Sequence, residues 1–215
     1  MSRKCDLRDI PLACRFTEHF TSLNGLDKLA FGGWVFHQGM LFRARNQWWG
    51  RQARRRQPHE GVDLCLYQIK GGDIRYLDEN TRIPVMFDGV IVKIGDDFLG
   101  KSVYVKHSAL DGQGTQLHTI YGHMKPGDGI HEGHVLKEGD VLGTVADARN
   151  RRAGILSHLH VTVAWIPDSL PPSDLDWKTI ADPHMVSLLD PLTITGGEYS
   201  IMENALSLDE TPKQY

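Results

Sequence analysis

The sequence predicts a mainly β protein, built as an antiparallel β-sandwich or barrel-like pair of sheets. Two observations predict it. Apolar residues alternate over segments of strand length, and glycines, 22 in all, fall between those segments where turns belong. That texture argues against alternating β and α units.

Taken in order, residues 1–30 read as an irregular or partly helical lead-in that closes on "LNGLDKLAFGG". Residues 31–195 read as the β domain. "VMFDGVIVKIG" (85–95) alternates and is interrupted by the turn pair Asp88-Gly89. "KSVYVKHSAL" (101–110) places Val103, Val105 and His107 on one face and Tyr104 and Lys106 on the other. "DGQGTQ" is a loop, "LHTIYGHM" (117–124) a strand, and "KPGDGIHEGH" a glycine-rich loop. "VLKEGDVLGTV" (135–145) reads as two short strands around a Glu-Gly-Asp turn, and "LSHLHVTVAW" (156–165) as a strand entering the core. Residues 196–215 form a polar tail, loose or a short helix. Trp34, Trp48 and Trp49 are read as core or groove-rim aromatics.

The chain has 215 residues, 40% hydrophobic and 24% charged, enough for one sizeable core. A net charge of −3 gives no global field toward nucleic acid or anionic lipid. Two arginine-rich runs, "RQARRRQ" (51–57) and Arg149 to Arg152, read as solvated loops, with binding of an anionic polymer as the competing reading. Cys5, Cys14 and Cys65 form neither a CxxC nor a disulfide framework, and Cys65 reads as a small buried apolar residue. The opening "MSRKCDLRDIPLACRF" lacks the apolar stretch of a signal peptide, and no segment is long enough to span a bilayer, so a soluble protein is expected.

Eleven histidines make short His motifs common by chance, so geometry must separate them. His158 and His160 share a strand face about 6.6 Å apart, close enough to serve one small volume. The two HxxxD motifs are harder, because on a straight strand their ends lie about 13 Å apart. In "PHEGVD", Gly61 permits a bend between His59 and Asp63. In "HSALD" nothing does, so His107–Asp111 reads as a strand end entering a turn. A His, an Asp and a second His make a three-ligand zinc site with an open position, the catalytic arrangement. Spare histidines nearby would handle protons and the developing oxyanion. His123 is a candidate for that work, or else a solvated strand end. "HEGH" (131–134) is two residues short of HExxH and reads as an exposed loop. His19, His37, His118 and His184 have no partner at informative spacing.

The ordered set "HEGVD", "PVMFDGVIVKIG", "SVYVKH", "TIYGHM", "VLKEGDVLGTV" and "SHLHVTV", from about Pro58 to about Val163, resembles the lysostaphin/LytM zinc metallopeptidase family. The resemblance implies an antiparallel β fold (a duplicated hybrid motif) with a groove over the sheet. It also implies one bound zinc ion and cleavage of peptide bonds in bacterial peptidoglycan peptides and cross-bridges. Position by position, it makes His59, Asp63 and His160 the metal ligands and His123 and His158 the non-ligand catalytic histidines. The implied location is periplasmic or extracellular. The alternative on the same fold is a catalytically silent zinc-binding scaffold or activator of other cell-wall hydrolases. Two departures stand out. The approach to the HxH pair is "ADARNRRAGILS", with three arginines, rather than Gly/Ser/Thr-rich. Val161-Thr162 replaces the usual Phe-Glu after that pair, which is expected to alter the groove wall.

Overall fold

The alternating segments fold as strands. The computed structural model describes residues 14–111, 113–148 and 154–202. Its elements are α1 (Phe16–Leu23), β1 (Phe31–Phe36), β2 (Val62–Leu64), β3 (Leu66–Ile69), β4 (Ile74–Tyr76), β5 (Arg82–Pro84), β6 (Gly89–Asp96), β7 (Lys101–Leu110), β8 (Thr115–Pro126), β9 (Val135–Leu136), β10 (Val141–Val145), β11 (Leu159–Pro167), α2 (Trp177–Ile180), β12 (Ser187–Leu189) and β13 (Tyr199–Ile201). Residues 1–13 of the lead-in, the Arg149–Arg152 run and residues 203–215 of the tail lie outside the described residues.

The larger sheet runs β12-β11-β8-β7-β6-β9, with β2 beside β11 and β10 between β8 and β5. The smaller sheet runs β13-β1-β3-β4. The protein is mainly β and its pairings are antiparallel, except that β13 lies parallel to β1. There the sequence suggests a loose segment or short helix; Phe36 and Tyr199 instead meet edge to face at 5.9 Å and the backbone pairs.

Period-two alternation sorts the larger sheet into two faces. Val103, Val105, Leu117, Tyr121, Val161, Val163 and Trp165 join the main core with Trp34, Phe36 and Leu66 of the smaller sheet. Phe16 and Phe20, one helical turn apart on α1, enter the same core, and Phe20 packs on Trp34 at 5.2 Å. Each fully buried Val, Leu or Phe side chain of this core contributes about 1.5–3 kcal/mol. Tyr104, Ile120, Ala164 and Ile166 form a second cluster on the opposite face with Leu175 and Ile180.

Two features of the fold set up the site. The first is Gly61, where the chain bends into β2. A Cβ there would stand 2.0 Å from the Val161 carbonyl oxygen and 2.7 Å from Thr162 Oγ1. The glycine is required by the close approach of β11, not by a left-handed backbone as a tight turn would suggest. Gly61→Ala is expected to cost about 2–3 kcal/mol and to weaken metal binding, because β2 must move off β11. Urea midpoint and metal content measure both.

The second is a bulge. Lys101 pairs with Met124 and Val103 with Tyr121, so Ser102 on β7 faces two residues, Gly122 and His123, on β8. Tyr121 and Met124 both point into the main core, and His123 adopts φ 60°. The extra residue turns His123 onto the face it would otherwise miss. His123 is therefore inside β8 and buried, not a solvated strand end.

The other histidines have structural settings. His107 Nδ1 donates to the Asp88 carbonyl at 2.9 Å, and Nε2 meets Thr119 Oγ1 at 2.8 Å. Asp111 accepts from Gln113 N and Thr115 N in the turn. "HEGH" is an exposed loop. Burial pushes His107 and His118 down to about 4. Unfolded, both rings take up a proton near pH 6.5; folded, they resist until about pH 4. Stability is thus fully present above pH 6.5 and falls as pH drops toward 4, by up to about 1.4 kcal/mol per pH unit per ring. Urea midpoints at pH 7.5 and pH 5 are expected to show this loss, and glutamine at both positions to shrink it.

Candidate metal centre

Three polar side chains converge on the sheet face opposite the main core. Register explains two of them. Asp63 on β2 pairs directly with His160 on β11, while Val62, Leu64, Leu159 and Val161 on either side point into the core. Cross-strand neighbours on one face meet, and Asp63 Oδ1 lies 2.8 Å from His160 Nδ1. His59 arrives on the segment before the bend, held by backbone hydrogen bonds from Arg43 N to its carbonyl and from its own N–H to Ala44 O. Its Nε2 lies 3.1 Å from both Asp63 Oδ1 and His160 Nδ1. All three residues are buried.

The hydrogen bonds behind the rings leave one donor atom of each residue facing a common point. His59 Nδ1–H donates to the Leu41 carbonyl at 3.0 Å, which leaves a lone pair on Nε2. His160 Nε2 meets the Thr162 hydroxyl at 2.8 Å, leaving Nδ1 for the triangle. Trp48 Nε1–H donates to Asp63 Oδ2 at 2.7 Å, and Arg55 Nη2 stands 3.7 Å from the same oxygen, leaving Oδ1 inward. A proton on His160 Nδ1 could serve only one of its two neighbours; a cation at the centre serves all three. Ligands about 2.0–2.2 Å from a tetrahedral zinc lie about 3.3 Å apart, close to the separations found. The three ligand atoms lie within 4.8 Å of one another, and among the described residues no fourth joins them. Burial drives His160 down to about 4, and Asp63, although burial opposes its charge, is held well below the usual carboxylate range by the surrounding imidazoles. An imidazole that resists protonation and an ionised carboxylate suit a divalent metal.

His158 and His123 stand beside this triangle, their rings 4.8 Å apart. His158 Nδ1–H donates to Leu156 O at 2.8 Å, and its Nε2, buried without a hydrogen-bond partner, lies 3.8 Å from Asp63 Oδ1. Burial pushes His158 down to about 3. His123 Nδ1 lies 3.1 Å from Asp97 Oδ1, and its backbone N–H donates to Asp97 Oδ2 at 2.8 Å. Asp97 in turn accepts from Leu99 N, Gly100 N and Ser102 Oγ. Burial opposes its charge, but His123 and these donors hold its carboxyl well below the usual range.

A cavity of about 300 Å³ opens over these groups, walled by Trp49, Phe98 and Trp177. Trp49 and Phe98 stack on each other at 6.4 Å, and Trp177 stands edge-on to His160 at 5.0 Å. All five residues singled out in the sequence are thus brought together. Sequence reasoning missed Trp48 and Asp97 as partners of these residues. It also placed Val161 and Thr162 on the groove wall, whereas Val161 is core and Thr162 is buried behind the ring of His160.

The model of peptidase family M23 matches residues 67–172, just under half of the chain. Over that stretch the chain is similar to peptidase family M23. The M23 match holds His123, His158 and His160; His59 and Asp63 precede it, and their place here rests on the contacts above. A search of curated proteins finds no match. The solved structures that the chain resembles are distant. Lysostaphin from Staphylococcus simulans is 18% identical, with a TM-score of 0.36 over 62% of this chain and 42% of its own. A structure described as a putative glycyl-glycine endopeptidase LytM from Ruminococcus gnavus is 17% identical, with a TM-score of 0.38 over 64% of this chain and 45% of its own. A catalytic-domain mutant of the prophage-encoded M23 protein EnpA from Enterococcus faecalis is 20% identical, with a TM-score of 0.36 over 58% of this chain and 85% of its own. In the solution structure of lysostaphin, the chain covers only 39% of its relative's length.

Proposed function

We propose that this chain is a zinc-dependent endopeptidase that hydrolyses peptide bonds in the stem peptides or cross-bridges of bacterial peptidoglycan, acting outside the cytoplasmic membrane. The observation that carries the reading is the His59–Asp63–His160 triangle with two further histidines at its edge. His59 Nε2, Asp63 Oδ1 and His160 Nδ1 would hold the metal. Zinc so bound polarises a carbonyl and makes a nucleophilic water available at neutral pH.

The chain's own residues do the rest. Trp48 and Thr162 fix the ligand orientations from behind. His158 presents an unprotonated Nε2 to the cavity, placed to accept a proton from the attacking water and return it to the leaving amine. His123, oriented by Asp97, faces the same volume and is placed to donate to the oxygen that gains charge. Trp49, Phe98 and Trp177 exclude bulk water and strengthen these interactions.

Metal analysis combined with mass spectrometry of digested peptidoglycan sacculi tests the reading. One zinc per chain and new amino termini in the wall peptides are expected, both lost on chelation and regained with zinc. Bound zinc without turnover on any purified wall would instead make the protein a scaffold on the peptidase fold.

A further inference from the structure

A second cavity, of about 410 Å³, adjoins the metal centre at His59, which lines both. One wall is cationic, formed by Arg43 and Arg45; the other, formed by Ala181, Pro183 and Leu188, is apolar. The cationic wall is rigidly tied to the metal centre. Arg43 N donates to the carbonyl of His59, His59 N donates to Ala44 O, and Arg45 O accepts from Arg55 N. The guanidinium of Arg43 also stands 5.2 Å over the Phe42 ring.

The charge in this region is unbalanced. Between Arg43 and His59 the chain carries six arginines and no acid. Among the described residues, only Arg55 of the six forms an ion pair, with Asp63. No carboxylate lines the second cavity. Arg43 and Arg45, which form no ion pair among the described residues, suit an external carboxylate, which guanidinium groups bind with paired charge-assisted hydrogen bonds. A phosphate polymer would need an open track of cations. A pocket with one arginine wall and one apolar wall fits a single acidic residue or chain end and its aliphatic part.

We infer that this cavity is a substrate subsite in which Arg43 and Arg45 hold a free carboxylate of the peptide on the His59 side of the bond to be cut. The inference rests on the peptidase reading and names the substrate class: peptides bearing an unblocked carboxylate.

Direct binding tests it without turnover. The probe is an acetylated stem tetrapeptide, compared with the same peptide in which the carboxylates are amidated. Both are titrated into the zinc-loaded His158→Ala variant. The acid is expected to bind about tenfold tighter than the amide, and R43Q/R45Q in that background to abolish the preference while zinc content and thermal midpoint stay unchanged. Arg45→Gln alone, whose site does not adjoin His59 directly in the backbone ladder, should remove part of the preference even where the double change disturbs folding. Equal binding of acid and amide overturns the subsite, as does a preference that survives R43Q/R45Q. So does displacement of the peptide by poly(glycerol phosphate) when acid and amide bind alike, which would assign the arginines to a phosphate polymer. Failure of the zinc-loaded wild-type chain to cleave any wall peptide would refute the peptidase reading separately, leaving the binding comparison to decide the subsite.

Discussion

Asp63→Ala is expected to abolish zinc retention and peptide cleavage together. Its Oδ1 lies within 3.1 Å of both histidine nitrogens of the triangle, so its removal leaves two donors where three stood. Two imidazoles bind zinc far more weakly than a complete three-ligand set with an anionic member. The change also strands the buried Trp48 Nε1–H, whose partner is Asp63 Oδ2, at a cost of about 1–3 kcal/mol. Asp63→Asn separates the two effects. It keeps an oxygen for Trp48 and so should preserve most of the apoprotein's stability, but it removes the charge and should still lose zinc. Equilibrium dialysis with zinc and urea unfolding of the metal-free proteins distinguish these outcomes. Full zinc occupancy in Asp63→Ala would sink the assignment of the triangle as a metal site.

What could be read from sequence, and what could not, divides along physical lines. The strands of the larger sheet were legible because alternation is local: "KSVYVKHSAL" is β7 end to end. The HxH pair was legible because its two rings share a face whatever lies beyond them. The bend at Gly61 was expected, but not its reason, since the Val161 carbonyl that forbids a side chain there is a hundred residues away in sequence. His123 was ambiguous because a bulge breaks the parity on which face assignment rests. Trp48 and Asp97 were missed as partners because each acts through a contact distant in sequence, and neither sits at a spacing that marks a motif; Thr162 shares the strand face of His160 two residues on, a contact that the i, i+2 rule could have found. Asp97 stands 26 residues from His123, the ring it faces. The family resemblance supplied roles for the histidines; the hydrogen bonds behind each ring supply the physical grounds for those roles.

His158→Ala and His123→Ala are expected to keep zinc and to lower kcat by about 10²–10⁴-fold each, the range for removal of a positioned proton-transfer group. Zinc is kept because neither ring belongs to the ligand triangle: His158 Nε2 is 3.8 Å from Asp63 Oδ1 and is not among the three converging atoms. The two rings act on one volume, so the double variant should lose little more than the worse single one, as for groups that act as a unit. Asp97 offers the internal control. It touches no metal ligand in the contacts above, yet it faces His123 Nδ1 and holds that residue's backbone N–H. As a positioning residue, Asp97→Ala should lower kcat with little change in KM. Asp97→Asn keeps one acceptor oxygen, enough for the Leu99 and Gly100 amides but not also for Ser102 and the His123 N–H, so it should recover part of the stability but not the ring's tautomer. Nitrogen-15 spectra of the His123 imidazole report that tautomer directly. A His123 ring with unchanged tautomer in both variants, together with full turnover, would remove Asp97 from the mechanism; zinc loss in His158→Ala would mean that the ligand set reaches beyond the triangle.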